Sequence, residues 1–310
     1  MCWYCSCIIY NFSFLYLCAN LQSTLGFSYS FLVLFCLSYP ILSIMSRKTR
    51  ANRKVFSSST PSFESDIFLS EKQQESYEKL NLLSSVWAER NVLLDELDPK
   101  IRRNFEHRGW LSLMDIDHPP PATLIREFYS NLSVHSYDSN TQVKSWIWGE
   151  EYTITPTVMA IALGVPLVQH PVYPYDESPP LDDIMSYITS TSIQWGSNPR
   201  ISSHELTKIH YLFFRISFHS IWPISHLHII HLERCVFLYA LVTDAPMSFP
   251  HLFLRSLVEV YRSTSCSYAL FFLVFIHRIL LHLKLDNFPA SKPVHIVVPI
   301  GATFFRQMAA

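Results

Sequence analysis

The chain has 310 residues, 49% hydrophobic and 15% aromatic, and a formal net charge of −1. This composition can fill a sizeable core and excludes a chain that is disordered throughout. The balanced charge gives the chain as a whole no electrostatic bias toward nucleic acid.

Charge is unevenly placed along the chain. Residues 1–46 hold no Lys, Arg, Asp or Glu, and Phe, Leu, Ser, Tyr, Cys and Trp supply 31 of the first 44. Residues 27–44 form an uncharged stretch near the roughly 20 residues that cross a bilayer. The basic residues after it would leave the body cytoplasmic, and the lack of a charged segment before it argues against a cleaved signal peptide. The competing reading is a thymine-rich leader translated in frame, since most codons for those six residue types begin with thymine. Composition favours this second reading, with Met45 as the start. Residues 1–44 are then a hydrophobic lead and residues 45–69 a basic, Ser-rich tail. Arg47, Lys48, Arg50, Arg53 and Lys54 cluster in that tail. They are the candidate nucleic-acid-binding residues, of the nuclear-import or phosphate-contacting kind, against the alternative of a solvated terminus or an anchor flank. Location follows the start: nucleus or cytoplasm from Met45, membrane if the lead is translated. Five of the seven cysteines lie in the lead, and only Cys235 and Cys266 lie in the body. That count excludes a disulfide framework and a zinc knuckle, and the body reads as reduced and intracellular.

Apolar Tyr77, Leu80, Leu83, Trp87 and Leu94 recur near helical spacing and predict one helix over 70–97. Ser70 would cap it, Glu71 sits in its first turn, and Asp98 with Pro99 closes it. A shorter helix over 100–107 should stop at Gly109. Pro119, Pro120 and Pro121 lead into a helix striped by Leu124 or Ile125, Phe128 and Leu132. Alternation over 143–154, around Gly149 and Glu150, predicts a small β-hairpin resting on a helical core. Thr155 as N-cap, Pro156 at N1 and Gly164 past the end bracket the next helix. Residues 169–200 are Pro-rich and extended, with a helix over 182–189. Residues 204–285 read as apolar helices, with breaks at Pro223 and 244–250 and a further break at 287–293. The run 267–285 reaches His277 and Arg278 too soon to span a bilayer and reads as a buried helix. The C-terminal residues carry no capped element, which reads as a truncated end.

No catalytic residue, metal ligand or cofactor is assigned. All six glycines are isolated, so neither a phosphate loop nor a dinucleotide fingerprint can be built, and there is no nucleophile elbow. Of the 14 histidines, His228 and His231 could share a helix face, with His226 turned away. His204, Glu205 and His210 have the wrong spacing for a zinc-protease helix. Asp115 with Asp117, and Asp182 with Asp183, are the acidic pairs to test for two-metal chemistry with Glu205 or Glu233. Helix caps or solvated acids are the expected outcome. Trp87, Trp110, Trp146, Trp148, Trp195 and Trp222 are expected in the core.

The ordered set "ERNVLLDELDP", "RGWLSLMDIDHPPPATLIREFYSNL", "SWIWGEEYTITPTVMAIALGVP", "IWPISHLHIIHLERCVFLYALVTDAPMSFPHLF" and "FIHRILLHLKLDNFP" resembles the putative plant transposon protein domain. That family occurs in open reading frames derived from plant transposable elements. The likeness runs over about residues 86–298, and "REFYSNL" and the segment 146–166 carry most of it. It implies transposon origin and brings no catalytic residues. The expected protein is mainly α: a multi-helix domain over 70–300 with one small β-hairpin near 143–154, the lead and tail lying outside the fold. Its expected role is non-catalytic, accessory or structural, through protein contacts, nucleic-acid contacts or self-association. The rivals are a metal-dependent transposase or nuclease, and a protein anchored in a membrane through residues 8–44.

Overall fold

The computed structural model describes residues 67–83, 88–116, 118–137, 140–175, 177, 179–190, 200–224, 226–263, 270–285, 288–289 and 299–308. All belong to the unit Thr60–Ala310. The hydrophobic lead and the basic cluster lie outside the described residues, as do Trp87, Asp117, Trp195 and Cys266.

Ten α-helices and five short strands make the protein mainly helical among the described residues. The helices are α1 (Glu71–Leu83), α2 (Pro99–His107), α3 (Ala122–Ser130), α4 (Pro156–Leu163), α5 (Leu181–Ile188), α6 (Lys208–Ile216), α7 (Leu232–Val242), α8 (Phe249–Arg262), α9 (Leu273–His282) and α10 (Ala302–Met308). The strands are β1 (Ser133–Tyr137), β2 (Asn140–Ile147), β3 (Glu150–Ile154), β4 (Arg200–Ser202) and β5 (Ile229–His231). β1, β2 and β3 form an antiparallel sheet in that order, and β4 pairs antiparallel with β5.

The expected hairpin is present as β2 and β3, with a third strand added. Its turn is Trp148–Gly149, one residue earlier than the alternation suggested, because Ile147 pairs with Glu150. Along β2, Val143, Ser145 and Ile147 are buried on the face that packs against α3 and α8. α3 presents Leu124, Ile125 and Phe128 to that core, all fully buried. α4 forms as its local signals dictate: the Thr155 hydroxyl accepts from the Val158 N–H, Pro156 opens the helix, and Gly164 turns at φ 65. α9 is ten residues long and buries Leu273, Val274, Phe275, Ile276, Ile279 and Leu280, while Leu281 and His282 are exposed, and no described helix is long and apolar enough to cross a membrane.

Three expectations need correction. The single helix over 70–97 does not exist: α1 ends at Leu83, and residues 88–93 run extended into a 3-10 turn at Leu94–Glu96. Asp98 with Pro99 opens α2 instead of closing a helix, the Asp98 carboxylate accepting from the Lys100 N–H at 2.8 Å. Long-range pairing overrides helical propensity there, since Val92 bridges Ile300 and the Leu93 N–H donates to the Ile300 carbonyl at 2.8 Å. Second, 229–231 is a strand, not a helix. Third, the C-terminal region does carry a capped element, since the Glu96 carboxylate accepts from the Ala302 N–H at the start of α10, at 2.7 Å.

The end of α2 is fastened to the end of α7 by one buried guanidinium. Arg108 donates to the carbonyls of Ala245 (2.8 Å), Leu241 (2.9 Å) and Ala240 (3.2 Å), and pairs with Asp244 at 3.2 Å. Orphan carbonyls at a helix C-terminus need donors, and a forked guanidinium supplies several at once.

Candidate functional site

Carboxylates placed far along the chain from the backbone they cap are a recurring device here. Glu89 is fully buried and accepts from the Val274 N–H at 3.0 Å, capping the first turn of α9 across 185 residues. Burial raises its carboxyl to about 7, against the lowering effect of that backbone donor. Glu127 on α3 does the same for the hairpin: its Oε1 accepts from the Trp148 N–H at 2.7 Å. It is 4% exposed, and burial pushes it up to about 7 while the Trp148 amide pulls it down.

The amide that Glu127 holds belongs to an unusual turn residue. Trp148 has φ 52 and Gly149 φ 84, the pair of positive angles that a tight two-residue hairpin requires. Asn, Asp or Gly normally fills the first of these positions, because a Cβ there is strained. Trp148 fills it and is 49% exposed. Of the tryptophans expected in the core, Trp110 is buried and Trp146 and Trp222 are partly so; Trp148 is the exception.

Trp148 stands on one wall of a cavity of about 360 Å³, at the small end of the range ligand pockets occupy. Two ring pairs line it: Trp148 with Phe288, centroids 5.8 Å apart, and Phe68 with Tyr77, 5.3 Å apart. Glu127 and Glu78 are its charged lining residues. Asn131, at the C-terminal end of α3, holds the walls in register. Its amide donates to the Trp146 carbonyl at 2.7 Å and to the Ile67 carbonyl at 3.2 Å, tying the hairpin to the segment that carries Phe68.

Helical spacing on α1 divides two surfaces. Gln74, Tyr77 and Glu78 face the aromatic pocket, whereas Lys72, Gln73, Ser76 and Lys79 line a second, open groove of about 540 Å³ with Tyr129 and Tyr261. The first side is acidic and aromatic, the second basic and hydroxyl-rich.

The acids and histidines singled out by sequence form no metal-holding group among the described residues, and several have structural roles. Asp182 and Asp183 are exposed in the first turn of α5, where the helix dipole favours them. Glu205 closes a capping box with Ser202, and Glu233 lies in the first turn of α7 facing Arg255 at 3.8 Å. Asp115 is exposed, and its carbonyl accepts from Arg278. His228 and His231 are exposed and flank or end a strand, so no helix face brings them together. His210 binds the Thr207 hydroxyl and stacks on Tyr187. Among the described residues no three His, Cys, Asp or Glu side chains converge to hold a metal. Cys235 is buried, and burial pushes its thiol up to about 12.

One further group gathers around Phe304 of α10: the guanidiniums of Arg90 and Arg215, at 4.6 and 5.5 Å from its centroid, and the His219 ring at 5.7 Å. Burial, with both guanidiniums nearby, holds His219 neutral down to about 3.

Glu127 and Trp148 escaped the sequence reading. The available signals were a lone acid three residues after Leu124 in an apolar helix face, and a Trp where a Trp-Gly turn should carry Asn.

A family model described as "Putative plant retrotransposon-related domain" matches residues 106–286, more than half of the chain. The matched span includes Glu127, Asn131 and Trp148, while Phe68, Tyr77 and Phe288 lie outside it. No curated protein and no solved structure matches the chain.

Proposed function

The chain belongs to the plant retrotransposon-related family, and from that premise we propose that it is an element-derived accessory or structural protein that acts by contact, without catalysis. The observation that supports this reading most is the pocket at the hairpin tip. A strained, half-exposed Trp148 is held in place by a buried carboxylate beside three further aromatic rings. Strain kept at an exposed position is a mark of function, because folding alone gains nothing from it. Exposed aromatics in a concave surface are also the usual anchors of protein recognition. Catalytic carboxylates must converge on a reacting atom, and Glu127 is instead committed to a backbone amide.

Contact with nucleic acid is the second part of the proposal and rests on Arg47, Lys48, Arg50, Arg53 and Lys54. Such a cluster binds phosphates through counterion release, so affinity falls with salt in proportion to the phosphates neutralised. The test is a salt titration of duplex DNA against the full chain and against a variant with all five residues changed to Ala. The wild type should lose affinity steeply with salt, and the variant should show a slope shallower by several units. Equal slopes would remove the tail from the proposal.

A further inference from the structure

The pocket's chemistry narrows what it can hold. Its lining offers the aromatic rings of Trp148, Phe288, Phe68 and Tyr77 and the carboxyl groups of Glu127 and Glu78, and no Lys, Arg or His. Ring faces carry negative charge density and attract cations, most strongly in a desolvated site. A primary ammonium brings three N–H donors that each need an acceptor. Glu127 Oε1 is already engaged by the Trp148 amide, which leaves Glu127 Oε2 and the Glu78 carboxylate as the charged lining acceptors, against four aromatic rings. A methylated ammonium sheds donors, spreads its charge over methyl groups and suits aromatic walls better. An anion is disfavoured by both carboxylates.

We propose that this pocket binds the methylated ammonium of a lysine side chain carried by a partner protein, between the Trp148–Phe288 and Phe68–Tyr77 walls and facing Glu127. The inference rests on the recognition reading above. A protein segment fits better than a small free amine because Trp148, 49% exposed at the hairpin tip, lines the pocket, so a side chain can enter while the backbone that carries it stays at the surface. The entering cation would favour the ionised form of Glu127, since a nearby positive charge offsets the burial that raises its carboxyl to about 7.

The test is calorimetric titration of the full chain with one short peptide in three forms: Nε-trimethyl-lysine, unmodified lysine, and the neutral tert-butyl isostere of trimethyl-lysine, the first and third also titrated against the variants Trp148→Asn, Glu127→Gln and Glu78→Gln. Choline is titrated separately. The trimethyl-lysine peptide should bind at least about fivefold tighter than its neutral isostere, the cation–π contribution being about 1 kcal/mol or more. Trp148→Asn should abolish binding of both. Glu127→Gln should narrow the charged-to-neutral ratio, and Glu78→Gln, at an exposed position of α1, should narrow it without any effect on folding. Equal binding of the isostere would overturn the cation and leave the recognition reading standing. Equal or tighter binding of unmodified lysine would overturn the methylation. Choline binding as tightly as the peptide would overturn the protein source. No binding of any peptide to the folded chain would overturn both this inference and the recognition reading.

Discussion

Replacing Trp148 by Asn separates folding from recognition at the hairpin tip. Holding a residue with a Cβ in the left-handed region costs roughly 1–2 kcal/mol, and Asn is enriched there because it tolerates it. Trp148 sits at φ 52, so Trp148→Asn should recover part of that cost. Against the gain stands the edge contact with Phe288 at 5.8 Å, worth about 0.5–1.5 kcal/mol. The backbone donor to Glu127 is unaffected by the change. The two effects nearly cancel, so stability should stay within about 1 kcal/mol of wild type, whereas truncating a buried Trp costs about 3–5 kcal/mol. Urea unfolding gives the answer, read as a shift in midpoint at constant m-value. A loss above about 2 kcal/mol would show that Trp148 is kept for packing, and the functional reading of its strain would fail.

Glu89 and His219 make opposite pH predictions. Glu89 has its folded value raised to about 7, so its contribution is fully present below its usual 4.5 and is lost as pH rises through 7. The stability gap between wild type and Glu89→Gln should therefore fall by about 1–3 kcal/mol between pH 5 and 8; parallel profiles by thermal denaturation would refute it. His219 has its folded value lowered to about 3, so its contribution is present above 6.5 and is lost as pH falls toward 3. His219→Gln should lose less stability than wild type between pH 7 and 4, and an unchanged acid limb would count against a neutral, buried His219. These effects oppose each other between pH 4.5 and 6.5, so only difference profiles resolve them. Arg108→Ala removes three carbonyl partners and the Asp244 pair, and should cost about 2–4 kcal/mol by urea unfolding. Arg108→Lys should recover only part of this, because an ammonium lacks the fork; full recovery would contradict the clamp.

What the sequence disclosed was mostly local. Thr155, Pro156 and Gly164 specify α4 within ten residues, and period-two alternation disclosed β2 and β3. Asp98 and Pro99 were recognised as a boundary, yet as the wrong kind, because the same dipeptide ends one helix or starts another. Residues 88–93 were illegible because their structure depends on Ile300 and on the first turn of α9, some 200 residues away. The cap of α10 by Glu96 is remote in the same way. The candidate pocket draws on Phe68, Tyr77, Glu127, Trp148 and Phe288, none of which forms a motif with another. Only the fold brings them to one place, and only the φ of Trp148 marks the place as unusual.

Recognition of an alkylated cation at the hairpin-tip pocket can be followed at Trp148 itself. Its most direct test is an indole N–H spectrum of the ¹⁵N-tryptophan-labelled full chain during addition of tetramethylammonium. The chain has seven tryptophans. Binding at this pocket should move the Trp148 signal, assigned through Trp148→Asn, in a saturable way while the buried Trp110 signal stays fixed. A Trp148 signal that stays fixed at saturating salt-matched probe, or that moves in step with all the others, would contradict it.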